Sequence, residues 1–269
     1  MLSVLEDAEA AAEVAVMTVA AVKAFPATRF RVADWMAYAL GLETREAWRA
    51  WARGLGNPEP DNARTAATLP PMLRRRISKV GQMAFRASYA LSEQRTARLV
   101  FCSRHGELDR TLRVLRSLIA SEQMSPTDFT LSVHNALAGL LSIIWGNTAG
   151  HTAIAAGADS FAYGLMEAVA SLQAESGAPV MLVYFDDLVP PPYDEIADSV
   201  DNCLALALLL EPPRDDGDDL MFAFESHASA PVQLSASAQA LDFLSFMLSG
   251  ERERSFVGER AQWRWRRCA

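Results

Sequence analysis

Runs of apolar residues along the chain predict a set of buried strands. Residues 180–185 and 204–210 are almost continuously apolar, which is typical of strands that are buried on both faces of a sheet. Near the C-terminus, Trp263 and Trp265 alternate with arginines, and this predicts a packed terminal strand. Shorter apolar runs predict four further strands, over residues 29–35, 99–102, 152–156 and 220–224.

Apolar residues at steps of three and four predict helices between these strands. Thr44 is a candidate N-cap for the first, and a long helix is predicted from Pro70 to about Leu91. The other predicted helices cover residues 44–54, 108–119, 135–145, 161–172 and 237–248. The helix over 108–119 carries one apolar stripe, formed by Leu108, Leu112, Leu115 and Ile119. Residues 125–135 are predicted to be irregular.

The order of these elements predicts an α/β fold with a mixed, mostly buried sheet that is flanked by helices. The domain is predicted to cover residues 26–269. Residues 1–25 are rich in alanine and only weakly periodic, so they are interpreted as an N-terminal extension whose order the sequence leaves open. The proline-rich stretches at 189–193 and 211–219 are interpreted as loops within the domain.

The composition excludes several classes of protein. The 269 residues include 25 Lys+Arg and 33 Asp+Glu, and the resulting net charge of -8 disfavours a nucleic-acid partner. No apolar stretch reaches the ~18 residues that a membrane-spanning helix needs. Three cysteines cannot form a disulfide framework, and their spacing matches no zinc pattern. We therefore expect a cytoplasmic protein without a metal or a cofactor.

Several side chains that often carry chemistry are interpreted as structural. Asp186 and Asp187 follow a predicted strand, as magnesium ligands do, but no phosphate-binding loop accompanies them. They are therefore read as a solvated acidic loop. Cys102 and Cys203 lie in apolar strand runs, where burial makes a thiol inert.

The turn at residues 157–160 is the strongest candidate site from local sequence. It joins a predicted strand to the first turn of a helix, where unpaired backbone N–H groups and the helix dipole favour an anion. The side chains of Ala158, Asp159 and Ser160 include no base that could activate a nucleophile. Asp159 or Ser160 is most simply interpreted as the N-cap of the helix.

Three segments carry a family resemblance. They are PPMLRRRISKVGQMAF at 70–85, LVFCSRHGEL at 99–108 and MSPTDFTLSVHNALAGLLSI at 124–143. Together they resemble the N-terminal half of beta-ketoacyl synthases. More narrowly, they are similar to the short, chain-length-factor-like subunits of aryl polyene biosynthesis. The resemblance extends from about Phe30 to Arg267.

The resemblance implies the N-terminal half of a thiolase-like fold and the loss of catalysis. The nucleophilic cysteine of the family falls at or next to Ala158, and this chain has no cysteine there. The segments that carry the family's catalytic histidines have no counterpart. Without a thiolate and histidines, decarboxylative condensation has neither a covalent carrier nor stabilisation of its anions. Ala158, Asp159, Ser160 and Phe161 are thus interpreted as a vestigial active-site turn.

The resemblance also implies a partner. The first hypothesis is a heterodimer with a full-length beta-ketoacyl synthase, in which this chain shapes or stabilises the acyl tunnel. Val133, His134 and Asn135 are the predicted interface and tunnel segment, although His134 has a simpler reading as a hydrogen-bonded structural histidine. A half-fold should also expose an apolar patch where its partner packs.

Two alternatives remain open at this point. In the first, Asp159 or His134 holds a malonyl group and the chain acts as a malonyl-carrier decarboxylase that primes synthesis. In the second, the chain is a scaffold that docks an acyl carrier protein, which is usually acidic. Arg74, Arg75 and Arg76 would then supply the docking charges, although a solvated helix face is the favoured interpretation of these arginines.

Overall fold

A mixed sheet of eight strands lies at the centre of the described structure. The computed structural model describes residues 27–39, 41–55, 71–174, 177–195, 203–214, 218–226 and 238–268. The strands are β1 (Thr28–Ala39), β2 (Arg98–Cys102), β3 (His151–Ile154), β4 (Val180–Asp186), β5 (Leu204–Glu211), β6 (Leu220–Ser226), β7 (Glu253–Val257) and β8 (Ala261–Arg267). Their order across the sheet is β3-β2-β4-β5-β1-β6-β8-β7.

Parallel and antiparallel pairing divide this sheet into two parts. Strands β3, β2 and β4 are parallel, whereas every pairing from β4 through β5, β1, β6 and β8 to β7 is antiparallel. All residues of β4 are buried, as are Leu204–Leu210 of β5, because both faces of the sheet are covered there. The prediction of two fully buried strands is confirmed.

Helices cover the two faces of the sheet. They are α1 (Arg45–Ala52), α2 (Pro71–Arg76), α3 (Lys79–Ala90), α4 (Leu108–Ile119), α5 (Pro126–Ser132), α6 (Ala136–Trp145), α7 (Ser160–Ala174) and α8 (Ala238–Ser249). Helices α1, α7 and α8 pack on one face, and α3 and α6 pack on the other. Thr44 caps α1, since its Oγ1 accepts the N–H of Ala47 at 3.1 Å, as predicted.

The long helix predicted from Pro70 is wrong, because the chain breaks it at Ile77 and Ser78. Helix α2 ends at Arg76, and α3 begins at Lys79. The Oγ of Ser78 accepts the N–H of Gly81 at 3.0 Å and so starts a new helix. The apolar spacing continues through the break and hides it in the sequence.

The irregular segment predicted at 125–135 is also wrong, because it contains α5. The Oγ of Ser125 accepts the N–H of Asp128 at 3.2 Å, and Pro126 occupies the first turn. Helix α5 buries none of its side chains, so it has no apolar stripe that could have predicted it.

The apolar stripe of α4 forms, but the described residues cover only part of it. Leu112 is buried, whereas Leu115 is 42% exposed and Ile119 is 83% exposed. Near the C-terminus, Trp263 and Trp265 of β8 are buried, which confirms the predicted packed terminal strand. Strand β7, which pairs with β8, was missed because its exposed charged residues give no apolar run.

Two further observations concern membrane-spanning helices and the N-terminal segment. In the part of the chain that the structure describes, no helix combines the length and the apolar character that crossing a membrane requires. The predicted N-terminal extension at 1–25 lies outside the described residues, so its boundary stays a prediction.

Candidate functional site

The carboxyl ends of the three parallel strands meet at one edge of the sheet. Cys102 at the end of β2 is in register with Ile154 of β3 and with Tyr184 of β4. Ligands commonly bind at this edge of parallel sheets, because loops from neighbouring strands converge there. The turn at 157–160, which leads into α7, follows β3 at this edge.

Asp186, at the end of β4, organises the loop that follows β2. Its carboxylate accepts the Oγ–H of Ser103 at 2.9 Å, the N–H of Arg104 at 2.8 Å and the N–H of His105 at 2.9 Å. Asp186 is fully buried, and burial raises the pKa of its carboxyl group. The interpretation of Asp186 as part of a solvated acidic loop is therefore wrong, since it is a buried acceptor for three donors.

His134 is held between that loop and β3. Its Nε2 lies 3.0 Å from the carbonyl oxygen of Ile154. A carbonyl can only accept, so Nε2 carries the proton in this contact. Gly106, with φ of 58°, passes so close that a Cβ there would stand 2.9 Å from Nδ1 of His134. These contacts fit the structural reading of His134. Its neighbours Val133 and Asn135 are exposed, and the role predicted for the three residues stays a prediction.

Asp159 and Ser160 lie in the turn before α7, but neither side chain is a simple N-cap. Ser160 Oγ accepts the N–H of Ala156 at 2.9 Å and donates to the carbonyl oxygen of Gly157 at 2.7 Å. Both partners precede the helix. Asp159 is fully buried, and its carboxylate accepts the N–H of Arg260 at 2.8 Å. Burial raises the pKa of Asp159, against the effect of its hydrogen bonds.

Gln239 of α8 takes the place of the expected cap. Its Oε1 accepts the N–H of Ala162 at 2.8 Å, and its Nε2 donates to Asp159 Oδ1 at 3.3 Å. Phe161 is fully buried and packs against Tyr184 and Phe243. Phe161 is therefore a core residue of the turn. The role of the turn as a vestigial active site stays a prediction.

The thiols of Cys102 and Cys203 lie where they react poorly. Cys102 is fully buried, and α7 packs so closely that a Cβ at Gly164 would stand 2.5 Å from its Sγ. Burial raises the pKa of Cys102 and raises that of Cys203 to about 12. Within the described ranges, no three His, Cys, Asp or Glu side chains are arranged to hold a metal ion.

Eight exposed apolar side chains lie on α4, α5 and α6 or in the turns that join these helices, and we call this set the α4–α6 surface. It consists of Leu115, Leu118, Ile119, Met124, Phe129, Val133, Ile143 and Ile144. The most exposed members are Ile119 at 83% and Ile143 at 78%. Helix α6 also packs against β3, the strand at the end of the sheet. Exposed apolar patches of this kind mark interaction sites.

A buried charge network fixes the position of α5 beneath this surface. Arg110 Nη1 lies 2.8 Å from Asp128 Oδ1, and Arg110 Nε lies 2.8 Å from Glu107 Oε2. Glu107 also accepts the Oγ–H of Ser78 at 2.5 Å. Burial raises the pKa of Glu107. Since α5 buries no side chain, we expect the pair formed by Arg110 and Asp128 to hold it on α4, together with a longer contact of 3.5 Å from Arg113 Nη2 to the same oxygen.

The predicted docking arginines lie on α2. Arg74, Arg75 and Arg76 are all exposed, as expected for either of their two interpretations. Their role in docking stays a prediction.

The family of the chain follows from its sequence match. Residues 48–266 match the model of the beta-ketoacyl synthase N-terminal domain. The chain belongs to this family. The family that the three quoted segments predicted is thus confirmed. The assignment of the family's nucleophile position to Ala158 stays a prediction. No curated protein matches the sequence.

Solved structures support the same assignment. A chain from the complex of the ketosynthase ApeO with its chain length factor ApeC, from Xenorhabdus doucetiae, is 31% identical, with a TM-score of 0.76. The match covers 88% of this chain and 99% of that one. The chain therefore has a ketosynthase-like fold similar to that in a ketosynthase–chain length factor complex.

More distant structures share the fold alone. One comes from the complex of a type II polyketide synthase acyl-carrier protein with its ketosynthase. Its chain is 12% identical, with a TM-score of 0.64, and the match covers 90% of this chain and 99% of that one. A beta-ketoacyl synthase from Burkholderia phymatum is 16% identical, with a TM-score of 0.55, and the match covers 83% and 71%. The predicted partial thiolase-like fold, with its mixed sheet and flanking helices, is confirmed.

Proposed function

We propose that this chain is a non-condensing, chain-length-factor-like subunit that pairs with a full-length beta-ketoacyl synthase. In this role it shapes or stabilises the partner's acyl tunnel in polyene, polyketide or fatty-acid-type biosynthesis. The exposed α4–α6 surface is the observation that carries the proposal. The similarity to a chain from the ApeO–ApeC complex supports it, since that complex joins a ketosynthase to its chain length factor. An aryl polyene pathway in the cytoplasm is the setting we propose.

Strand β3 supplies a second element of the proposed interface. It lies at the end of the sheet, and its only strand partner among the described residues is β2. An edge strand offers a row of backbone groups to another chain. All four residues of β3 are only partly buried, and α6 with its exposed Ile143 lies next to it. An edge strand beside an apolar helix surface favours a stable partner over free exposure.

The chemistry is assigned to the partner for a physical reason. Condensation needs a thiolate that holds the acyl chain and groups that stabilise the anions. Here Ala158 offers only a methyl group, and burial raises the pKa of both Cys102 and Cys203. We propose that Val133, which is 47% exposed on the α4–α6 surface, lines a shared tunnel.

The contacts count against the priming alternative. A decarboxylase that holds a malonyl group through Asp159 or His134 needs those side chains to be available. Asp159 already accepts backbone N–H groups, and His134 Nε2 already donates to Ile154. Docking of an acidic carrier protein by Arg74–Arg76 is compatible with a subunit of such a complex, and it is not needed for the pairing.

The first test is co-purification. Tagged chain is expressed with the full-length ketosynthase encoded nearby, and the mass of the complex is read by size-exclusion chromatography with light scattering. We expect a one-to-one heterodimer, because the α4–α6 surface is too apolar to remain exposed. A well-behaved homodimer or monomer that ignores the ketosynthase would overturn the proposal.

Removing the anchor of α5 should weaken this complex. In Asp128→Ala, Arg110 keeps Glu107 as its only carboxylate partner, and we expect about 1–2 kcal/mol less stability. We expect faster amide hydrogen exchange in α5 and roughly fivefold weaker partner binding. The control is Glu46→Ala, which removes an exposed carboxylate that pairs with Arg49 within α1. Equal effects of the two variants would contradict a positioning role for Asp128.

A further inference from the structure

Two turns of the chain hold each other through reciprocal hydrogen bonds. The turn before α7 contacts the turn between β7 and β8, which consists of residues 258–260. Asp159 Oδ1 accepts the N–H of Glu259 at 3.1 Å, and Oδ2 accepts the N–H of Arg260 at 2.8 Å. In return, Oε2 of Glu259 accepts the N–H of Ala158 at 3.1 Å. Each turn therefore supplies a carboxylate to the backbone of the other.

Two glycines permit this close approach. Gly157 has a φ of 61°, and a Cβ there would stand 2.3 Å from Oε2 of Glu259. A Cβ at Gly258 would stand 1.9 Å from Oδ1 of Asp159. Both distances are far below van der Waals contact, so a larger residue at either position would displace the carboxylate that it meets. Glycine at both positions therefore allows the carboxylates of Glu259 and Asp159 to reach the backbone of the opposite turn.

The N–H groups of two residues at and just before the start of α7 are thereby used within the chain. Glu259 accepts from Ala158, which lies two residues before the helix begins, and Gln239 accepts from Ala162 in its first turn. The start of a helix favours an anion, because its N–H groups are unpaired and the helix dipole is positive there. The Glu259 carboxylate lies close to this end of α7 without contacting an N–H of the helix itself. Its side chain is 37% exposed, whereas Ala158 is 4% exposed, so Glu259 lies at the outer rim and Ala158 beneath it.

We infer that the turn between β7 and β8 is an internal plug, in which the carboxylate of Glu259 covers the N–H of Ala158 just before α7. The plug keeps acyl groups and carboxylate ligands away from Ala158. The functional role of the plug rests on the proposed function. A subunit that leaves the chemistry to its partner has no use for an accessible turn at Ala158.

The test uses a cysteine as a reporter of access. Ala158→Cys is prepared with and without Glu259→Ala, as the co-expressed complex or as the full chain if no complex forms. Each is treated with iodoacetamide, and labelling at position 158 is followed by peptide mass spectrometry. We expect the double variant to be labelled at least roughly ten times faster, because removing the carboxylate opens the turn. Equal rates in the two proteins would overturn the inference.

Controls separate the plug from general loosening. Glu253→Ala removes an exposed carboxylate from the same hairpin and should leave the labelling of Ala158→Cys unchanged. Glu259→Gln keeps an oxygen that can accept the N–H of Ala158, so it should remain slow. If Glu253→Ala accelerates labelling as much as Glu259→Ala does, the hairpin merely loosens and the inference fails.

A measurement on the unchanged chain protects the test if a variant does not fold. The N–H of Ala158 should exchange with solvent at least roughly a hundred times more slowly than in an unstructured peptide. Exchange at the rate of an unstructured peptide would overturn the plug. Failure of co-purification would overturn the proposed function alone, because labelling and exchange are read from this chain with or without a partner.

Discussion

Replacing Ile119 with aspartate should abolish the complex with the ketosynthase while leaving this chain folded. Ile119 is 83% exposed, so a charge there costs the free chain little. In an interface, the same carboxylate would be buried without a partner, at a cost of several kcal/mol. We expect binding to weaken at least roughly 100-fold, or about 3 kcal/mol, measured by light scattering and by a titration of the tagged chain.

A matched control lies at the opposite edge of the sheet. Val257 of β7 is 49% exposed, and Val257→Asp introduces the same charge far from the α4–α6 surface in the strand order. It should leave partner binding unchanged. Ile143→Asp should behave like Ile119→Asp, since Ile143 is 78% exposed on α6. If Val257→Asp alone disrupts the complex, the interface lies on the β7 side and the proposed face is wrong.

The sequence could predict those elements whose own residues carry the cause of their structure. Strands β4 and β5 are apolar on both faces because both faces are buried, so their pattern is complete within each strand. Helix α7 is similar, since Phe161, Leu165 and Ala168 are buried at helical spacing. A strong local pattern and its tertiary environment agree in these elements.

The sequence could not predict what covers an apolar pattern. The stripe on α4 has ideal helical spacing, yet Leu115 and Ile119 remain exposed because the described chain places nothing over them. Periodicity reports that one face is apolar, and it does not distinguish the protein's own core from a partner. Helix α5 shows the reverse case, since a helix that buries no side chain leaves no period to detect. The Ser125–Pro126 start was the available signal.

The details of the candidate site were hidden for a different reason. Asp186 binds a loop 81–83 positions earlier in the chain, and Asp159 binds a turn 100–101 positions later. A single sequence cannot pair positions so far apart. Glu259 and Gln239 were missed altogether, because an isolated Glu or Gln carries no motif. The glycines at 157 and 258 were the only local indication that two backbones approach closely.

Formation of the complex does not show whether this chain lines the acyl tunnel or only acts as a scaffold. A change in the size of one side chain distinguishes the two roles. Val133→Phe adds bulk at a position that is 47% exposed, between α5 and α6. If Val133 lines the shared tunnel, the larger ring occupies space that the growing acyl chain needs. We therefore expect the complex to form normally and its main product to become shorter by at least one elongation unit. Product length is read by mass spectrometry of the acyl chains released from the reconstituted complex.

The same substitution at Val257, Val257→Phe, is the control for added apolar bulk at a similarly exposed valine. It should leave product length unchanged, because β7 lies at the opposite end of the sheet from β3. A scaffold predicts a different pattern, in which Val133→Phe lowers the amount of product or the amount of complex without changing chain length. Unchanged length with an intact complex would thus remove the tunnel role and leave a subunit whose contribution is the stability of its partner.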